Sequence, residues 1–116
     1  MRKFLFLFFF FILSCVKTQN YREELKIWLG GDINDLIREW GNPSYEYAIP
    51  QKSKIYTWLW IGKKLISKQN YEETIKKFSF NDSSKNWCKT SFVTDQNGKI
   101  LNFTFDGTYC RTKRKK

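Results

Sequence analysis

Thr90-Ser91-Phe92-Val93-Thr94-Asp95-Gln96-Asn97-Gly98-Lys99-Ile100-Leu101-Asn102-Phe103-Thr104-Phe105 decides the fold class of this chain. Asn97-Gly98 is the pair favoured by a type I′ turn, because both central residues of that turn need positive φ. A two-residue loop there sets Phe92 opposite Phe103, Thr94 opposite Leu101 and Thr90 opposite Phe105. Phe92, Leu101, Phe103 and Phe105 then share one face, while Ser91, Val93, Asp95, Asn102 and Thr104 fall largely on the other. A slip of one residue would mix apolar and polar groups across the pair, so the pattern supports this register. The chain must hold an antiparallel sheet with an apolar face to cover.

Upstream, Ile55-Tyr56-Thr57-Trp58-Leu59-Trp60-Ile61 is rich in the β-branched and aromatic residues that suit a strand. Tyr56, Trp58 and Trp60 lie on one face, and Ile55, Leu59 and Ile61 on the other. Two apolar faces suit a central strand, or an aromatic face partly covered by loops. A short strand over Tyr45 to Ile49 precedes it, with Pro50 to Lys54 as the turn. Trp28, Trp40 and Trp58 sit on apolar stripes and read as core. Tyr56 and Trp60 have two readings: core, or an exposed aromatic patch beside Lys63 and Lys64 that suits a protein partner or a sugar ring.

Two helices should cover the sheet. Tyr21, Leu25, Trp28 and Leu29 stand at i, i+4, i+7 and i+8, with Asn20 and Glu23 as a capping pair and Gly30-Gly31 as the stop. Ile33, Leu36, Ile37 and Trp40 repeat the pattern behind Asp32 as N-cap, and Gly41 and Pro43 end that helix. Asp32 and Asp35 in its first turn meet the positive end of the helix dipole. The segment from Gly62 to Trp87 is less decided. Leu65-Ile66 reads as a prolongation of the Trp-rich strand. Thr74 to Phe80 reads as a strand or extended arm, with a helix capped at Asn70 and Glu73 as its rival. The expected fold class is α+β, with two N-terminal helices packed on a three- to four-stranded antiparallel sheet.

Before this body stands a leader. Met1-Arg2-Lys3 is followed by ten consecutive apolar residues, Phe4 to Leu13. That run is long enough for a signal-peptide core and short of the roughly 18–20 residues a bilayer span needs. Ile12-Leu13-Ser14-Cys15 resembles the bacterial lipobox, which implies cleavage after Ser14 and lipid on Cys15. The expected organisation is a signal peptide over 1–14, a lipidated tether over 15–19, one α+β domain over 20–110 and a basic tail over 111–116. Val16-Lys17 lacks the aspartate of inner-membrane retention, so the expected address is the outer membrane, facing the periplasm. A lipoprotein of a Gram-positive surface would read the same.

The chain carries 21 basic and 11 acidic residues, and of the basic ones only Arg2 and Lys3 lie in the leader. Arg111, Lys113, Arg114, Lys115 and Lys116 form a cationic end, solvated by default but close to anionic headgroups on an anchored protein. Such charge often means nucleic acid, which an exported lipoprotein seldom meets. With Cys15 assigned to lipid, Cys88 and Cys110 remain as a pair, and export favours a disulfide between them. In the register above Cys88 faces Gly107, so a bend at Asp106-Gly107 must bring the sulfurs together.

No histidine occurs in the 116 residues, which removes the commonest general base near neutral pH and the commonest metal ligand. Two thiols fall short of a four-ligand zinc shell, and no spacing of carboxylates singles out a glycosidase pair. The expectation is a protein that is no enzyme and holds no cofactor or metal. Trp28-Leu29-Gly30, Leu36, Trp40-Gly41-Asn42-Pro43 and Tyr56-Thr57-Trp58 resemble the BamE-like (SmpA/OmlA) family of small bacterial envelope lipoproteins. Cys88, Asn97-Gly98-Lys99-Ile100 and Gly107-Thr108-Tyr109-Cys110 resemble the ending of uncharacterised lipoproteins of that kind. The resemblance implies two helices on a three-stranded antiparallel sheet. It implies an accessory or scaffold role toward another envelope protein. The basic surface offers the alternative, binding of anionic envelope lipid, lipopolysaccharide or peptidoglycan.

Overall fold

The computed structural model describes residues 16–111. The leader, Cys15, and the tail residues Lys113, Arg114, Lys115 and Lys116 lie outside them. The described chain is α+β, with three helices and a five-stranded antiparallel sheet. Its elements are α1 (Val16–Lys26), α2 (Ile33–Trp40), β1 (Tyr45–Ile49), β2 (Ser53–Ile61), β3 (Lys64–Leu65), α3 (Lys68–Lys77), β4 (Trp87–Thr94) and β5 (Ile100–Gly107). The strands run in the order β1-β2-β4-β5, with the two-residue β3 folded back on the end of β2.

The β4–β5 register follows the expected pairing over most of its length: Cys88 faces Gly107, Thr90 faces Phe105 and Phe92 faces Phe103. The turn itself differs. Asp95 and Lys99 close a three-residue loop through the Asp95 N–H and the Lys99 carbonyl, 3.0 Å apart. Gly98 takes φ +88°, whereas Asn97 stays at negative φ, which excludes type I′. The Asp95 carboxylate holds this larger loop by accepting from the Asn97 and Lys99 N–H groups, both at 2.9 Å. The extra loop residue shifts the pairing by one, and a bulge after Ile100 shifts it back. Thr94 therefore faces Ile100, which is buried, and Leu101 is 53% exposed. Expected on the inner face, Leu101 stands outside.

The α1–α2 corner docks on that turn through backbone. Gly30 N–H donates to the Ile100 carbonyl and Ile100 N–H to the Gly31 carbonyl, both at 2.8 Å. Ile33 N–H reaches the Gly98 carbonyl at 2.8 Å. Asp32 caps α2 by accepting from the Asn34 N–H at 2.9 Å. α1 differs from expectation at both ends: it includes Val16 to Gln19, placed above in the tether, and stops at Lys26 rather than running to Leu29. Docking of Gly30 and Gly31 on Ile100 explains the early stop, because those carbonyls and N–H groups are committed to the sheet.

Tyr21, Leu25, Ile33 and Leu36 share one core with Trp58, Trp60, Phe92, Ile100 and Phe103, on what we call the inner face. Trp40 stands edge-on to Trp58, Trp60 and Phe92, at ring separations of 5.5, 5.2 and 5.6 Å. Edge-to-face contact is the geometry aromatic quadrupoles favour. Polar groups caught in this layer are paired. Tyr21 Oη lies 2.5 Å from Thr90 Oγ1, and Trp58 Nε1 donates to the Gly41 carbonyl at 2.9 Å.

Cys88 and Cys110 form a disulfide that ties the start of β4 to the chain beyond β5. Gly107 makes the bend that delivers Cys110. Its φ is +147°, and a Cβ there would stand 2.3 Å from the Trp87 carbonyl oxygen. The 22-residue separation corresponds to a stabilisation of about 3 kcal/mol in the loop-entropy account.

The segment Gly62 to Trp87 departs most from the sequence reading. Leu65 belongs to a return strand paired with Trp60, not to a longer β2. Lys68–Lys77 is a helix, so the expected strand over Thr74 to Phe80 is absent; the N-cap is Ser67, not Asn70. Tyr71, Phe78 and Phe80 pack on the other side of the sheet, the outer face, against buried Leu59, Ile66 and Trp87. Phe80 meets Trp87 edge-on at 4.7 Å.

Candidate functional site

The outer face is built from the residues that alternate with the inner core: Tyr45, Tyr47, Ile55, Thr57, Leu59, Ile61, Trp87, Ser91 and Val93. α3 covers only part of it. At the covered end Leu59 is fully buried, and Tyr45 stacks on Tyr71 of the helix with ring centroids 5.0 Å apart. Burial raises the Tyr71 hydroxyl pKa, and the neighbouring Tyr45 adds to the effect. Toward the turn end no described element covers the face. Tyr47, Ile55 and Val93 lie side by side across three strands, Tyr47 53% exposed and the other two half-buried. The bulged Leu101 adds a fourth apolar group. Thr57 Oγ1 and Ser91 Oγ, 2.7 Å apart, satisfy each other at the border of the covered part. An apolar row of this kind, rimmed by polar groups, suits contact with another protein.

The aromatic residues singled out from the sequence lie on the opposite face. Trp60 is 7% exposed and wedged in the inner core beside Trp40, so it leaves the candidate surface. Tyr56 is half-buried on that same face, with Lys54 Nζ 5.0 Å from its ring centre. The cause is the double apolar character of β2: alternation alone cannot say which face the helices take. The missed signal was the bare row itself. Tyr47, Ile55 and Val93 each fall at an alternating position in its own strand, opposite the one that feeds the helix-covered core.

Lys63 sits in the β2–β3 turn and Lys64 begins β3; both are exposed. Arg111 is exposed, with its guanidinium 4.6 Å from the centre of the Tyr109 ring. Lys64 and Lys77 rim a groove of about 600 Å³ between β3 and α3, floored by Leu65, Ile66 and Phe78. Glu73 lines it too, but its carboxylate is paired with Lys77 Nζ at 3.0 Å. Glu46 at the sheet edge accepts from Lys54 Nζ at 2.9 Å and Lys68 Nζ at 3.3 Å. The Lys54 hydrogen bond, with Lys68 behind it, holds the Glu46 carboxyl below its usual range and raises the Lys54 ammonium. Asp82 is lowered as well, by the Ser84 hydroxyl and N–H that it accepts from.

Among the described residues no three of His, Cys, Asp and Glu gather where they could hold a metal ion. No described helix is long and apolar enough to cross a membrane. The described surface presents an apolar row on one face and exposed lysines at one end. Compared with protein-family models, curated proteins and solved structures, the chain matches none of them.

Proposed function

We propose that this chain is a non-enzymatic, lipid-anchored protein of the bacterial cell envelope that uses the bare part of its outer face to bind another envelope protein. The observation that carries the reading is the half-finished cover: Tyr71 of α3 with Phe78 and Phe80 beyond it shields Leu59 and Trp87, while among the described residues Tyr47 and Leu101, each 53% exposed, are left beside Ile55 and Val93. Apolar groups held on a rigid sheet cost little ordering entropy when a partner arrives. The anchor reading is supported by Met1-Arg2-Lys3, the apolar run and Leu13-Ser14-Cys15, with the outer membrane as the proposed address. The accessory or scaffold role is supported by the BamE-like motifs around Trp28, Trp40-Gly41-Asn42-Pro43 and Trp58. The complete lack of histidine supports a role without catalysis.

The test is site-specific photocrosslinking of the native protein in its cell. A crosslinking residue at Tyr47 should give one discrete protein adduct, lost on Val93→Asp; the same residue at Glu39, remote from the row, should give none. Equal adducts from both positions, or none from either, overturn the reading. Mass analysis of the N-terminal peptide checks the anchor separately, with an acylated Cys15 expected as the first residue.

A further inference from the structure

We infer that the end of the sheet where β2 stops, β4 starts and β5 stops is a docking face for anionic phospholipid headgroups, because the exposed cations Lys63, Lys64 and Lys85 and the approach of the anchor meet there. The strand register fixes that end. Ile61 faces Trp87, and Cys88 faces Gly107. The flanking loops are tied together: Gly62 N–H donates to the Asn86 carbonyl at 2.7 Å, and Thr108 Oγ1 to the Lys85 carbonyl at 2.6 Å. Lys63, Lys64 and Lys85 are therefore neighbours of the segment that carries Arg111. Lys77, across the groove from Lys64, is paired with Glu73. In sequence, Lys113, Arg114, Lys115 and Lys116 follow Arg111 and lie outside the described residues.

Charge is distributed unevenly between the two ends. Among the described residues Lys63, Lys64 and Lys85 make no ion pair. At the turn end Lys52 and Asp95 line one groove, Lys99 is bridged to Asp32, and the Lys99 N–H bonds the Asp95 carboxylate. At the basic end Asp82 lies beside Lys85, Asp106 faces Lys89 and Glu73 pairs with Lys77, so the positive balance there comes from Lys63, Lys64 and Arg111.

α1 points its N-terminus the same way. Gly30 bonds Ile100, whereas Tyr21 packs on Phe105 at 4.9 Å and Arg22 covers the same ring at 5.0 Å. Toward lower numbers α1 therefore runs along β5 from Ile100 toward Gly107. The five residues from Tyr21 to Val16 rise about 7.5 Å, close to the two strand residues from Phe105 to Gly107. Val16, the residue after Cys15, is thus level with the basic end. This second support rests on the lipid-anchor reading; the charge distribution does not. An anionic bilayer is favoured over a soluble polyanion because the anchor and the cations address the same plane. Each lysine near such a surface raises binding roughly five-fold.

The test uses the full chain with vesicles of phosphatidylcholine, alone or with about one-third phosphatidylglycerol. An amine-reactive label is applied, and one digest reads both lysine labelling and the state of Cys15. Lys63, Lys64 and Lys85 should label about five-fold more slowly on anionic than on neutral vesicles, with Lys52 and Lys99 unchanged. The protection should vanish at about 1 M salt, where screening falls to roughly 3 Å. The variant Lys63→Gln/Lys64→Gln should bind anionic vesicles roughly twenty-five-fold more weakly than Lys52→Gln/Lys99→Gln, which removes as much charge. Equal loss in both variants, protection at both ends, or binding to a soluble polyanion without binding to vesicles overturns the inference. An unmodified Cys15 with selective protection removes the anchor and keeps the docking face. An acylated Cys15 without selective protection does the reverse.

Discussion

The two faces of this sheet are made by the same strands and do different work. On the inner face α1, α2 and the disulfide close over Trp58 and Phe92, neither of which is exposed. On the outer face one helix with no fully buried residue of its own, together with Phe78 and Phe80 beyond it, covers Leu59 and Trp87, and no described element covers Tyr47, Ile55 and Val93. The contrast separates holding the fold together from presenting a surface. A domain of roughly a hundred residues has only about 5–15 kcal/mol of net stability, and the packing places most of it on one side.

The sharpest way to break that comparison is to cut the same ring from each side. Phe92→Ala removes a fully buried ring among Trp40, Trp58 and Phe103, and should cost about 3–5 kcal/mol in urea denaturation. Phe80→Ala, half-buried against Trp87, should cost about 1–2 kcal/mol. Equal losses would mean that the outer cover is as structural as the inner core. Next in size is the cystine: Cys88→Ser/Cys110→Ser should lower stability by about 3 kcal/mol. Dithiothreitol should reproduce that loss in the unmutated chain and leave the double variant unchanged. A smaller pair tests the bulge. Ile100→Val should cost about 1 kcal/mol, while Leu101→Val should stay within about 0.5 kcal/mol. A reversal of that order would restore the two-residue turn.

The pattern of what could be read from the sequence follows the same division. Phe92 and Phe103 were placed opposite each other because one face of their strands is uniformly apolar, and a slip would have exposed them. Asp32 and the stripe Ile33-Leu36-Ile37-Trp40 marked α2 for the same reason. The turn was misjudged locally, because Asn97-Gly98 is outvoted by the Asp95 carboxylate, which binds two N–H groups of a longer loop. The strand register survived that error because the bulge cancels the added residue. α3 stood only as the rival reading, behind a strand, because its apolar positions, Tyr71 and Ile75, are few, and Ile75 stays 37% exposed. Beyond the Asn70 and Glu73 cap, its marks were the i, i+4, i+7 spacing of Tyr71, Ile75 and Phe78 and the Glu73–Lys77 pair. For the candidate surface, the sequence offered Tyr56 and Trp60 because they are large and aromatic. The structure offers Tyr47, Ile55 and Val93, whose exposure follows from where α3 ends and not from their identity.

The smallest effect concerns the one carboxylate that touches both layers. Glu46 pairs with Tyr56 across β1 and β2, takes a hydrogen bond from Lys54, and is reached over the sheet edge by Lys68 at the start of α3. Its folded pKa is lowered, chiefly by Lys54 and then by Lys68. The stabilisation is therefore present above the unfolded value of about 4.3 and lost as the pH falls through the folded value. Both lysines are well exposed, so solvent screening holds the gain to a few tenths of a kcal/mol. Comparing Glu46→Gln with the unmutated chain in urea at pH 7 and at about pH 3 isolates it. The difference should be small at neutral pH and vanish in acid. Lys68→Met should remove only part of it, because the Lys54 bond within the sheet remains. If Lys68→Met instead removes all of it, the edge contact to α3 dominates, and the outer helix is held to the sheet by charge as much as by Tyr71.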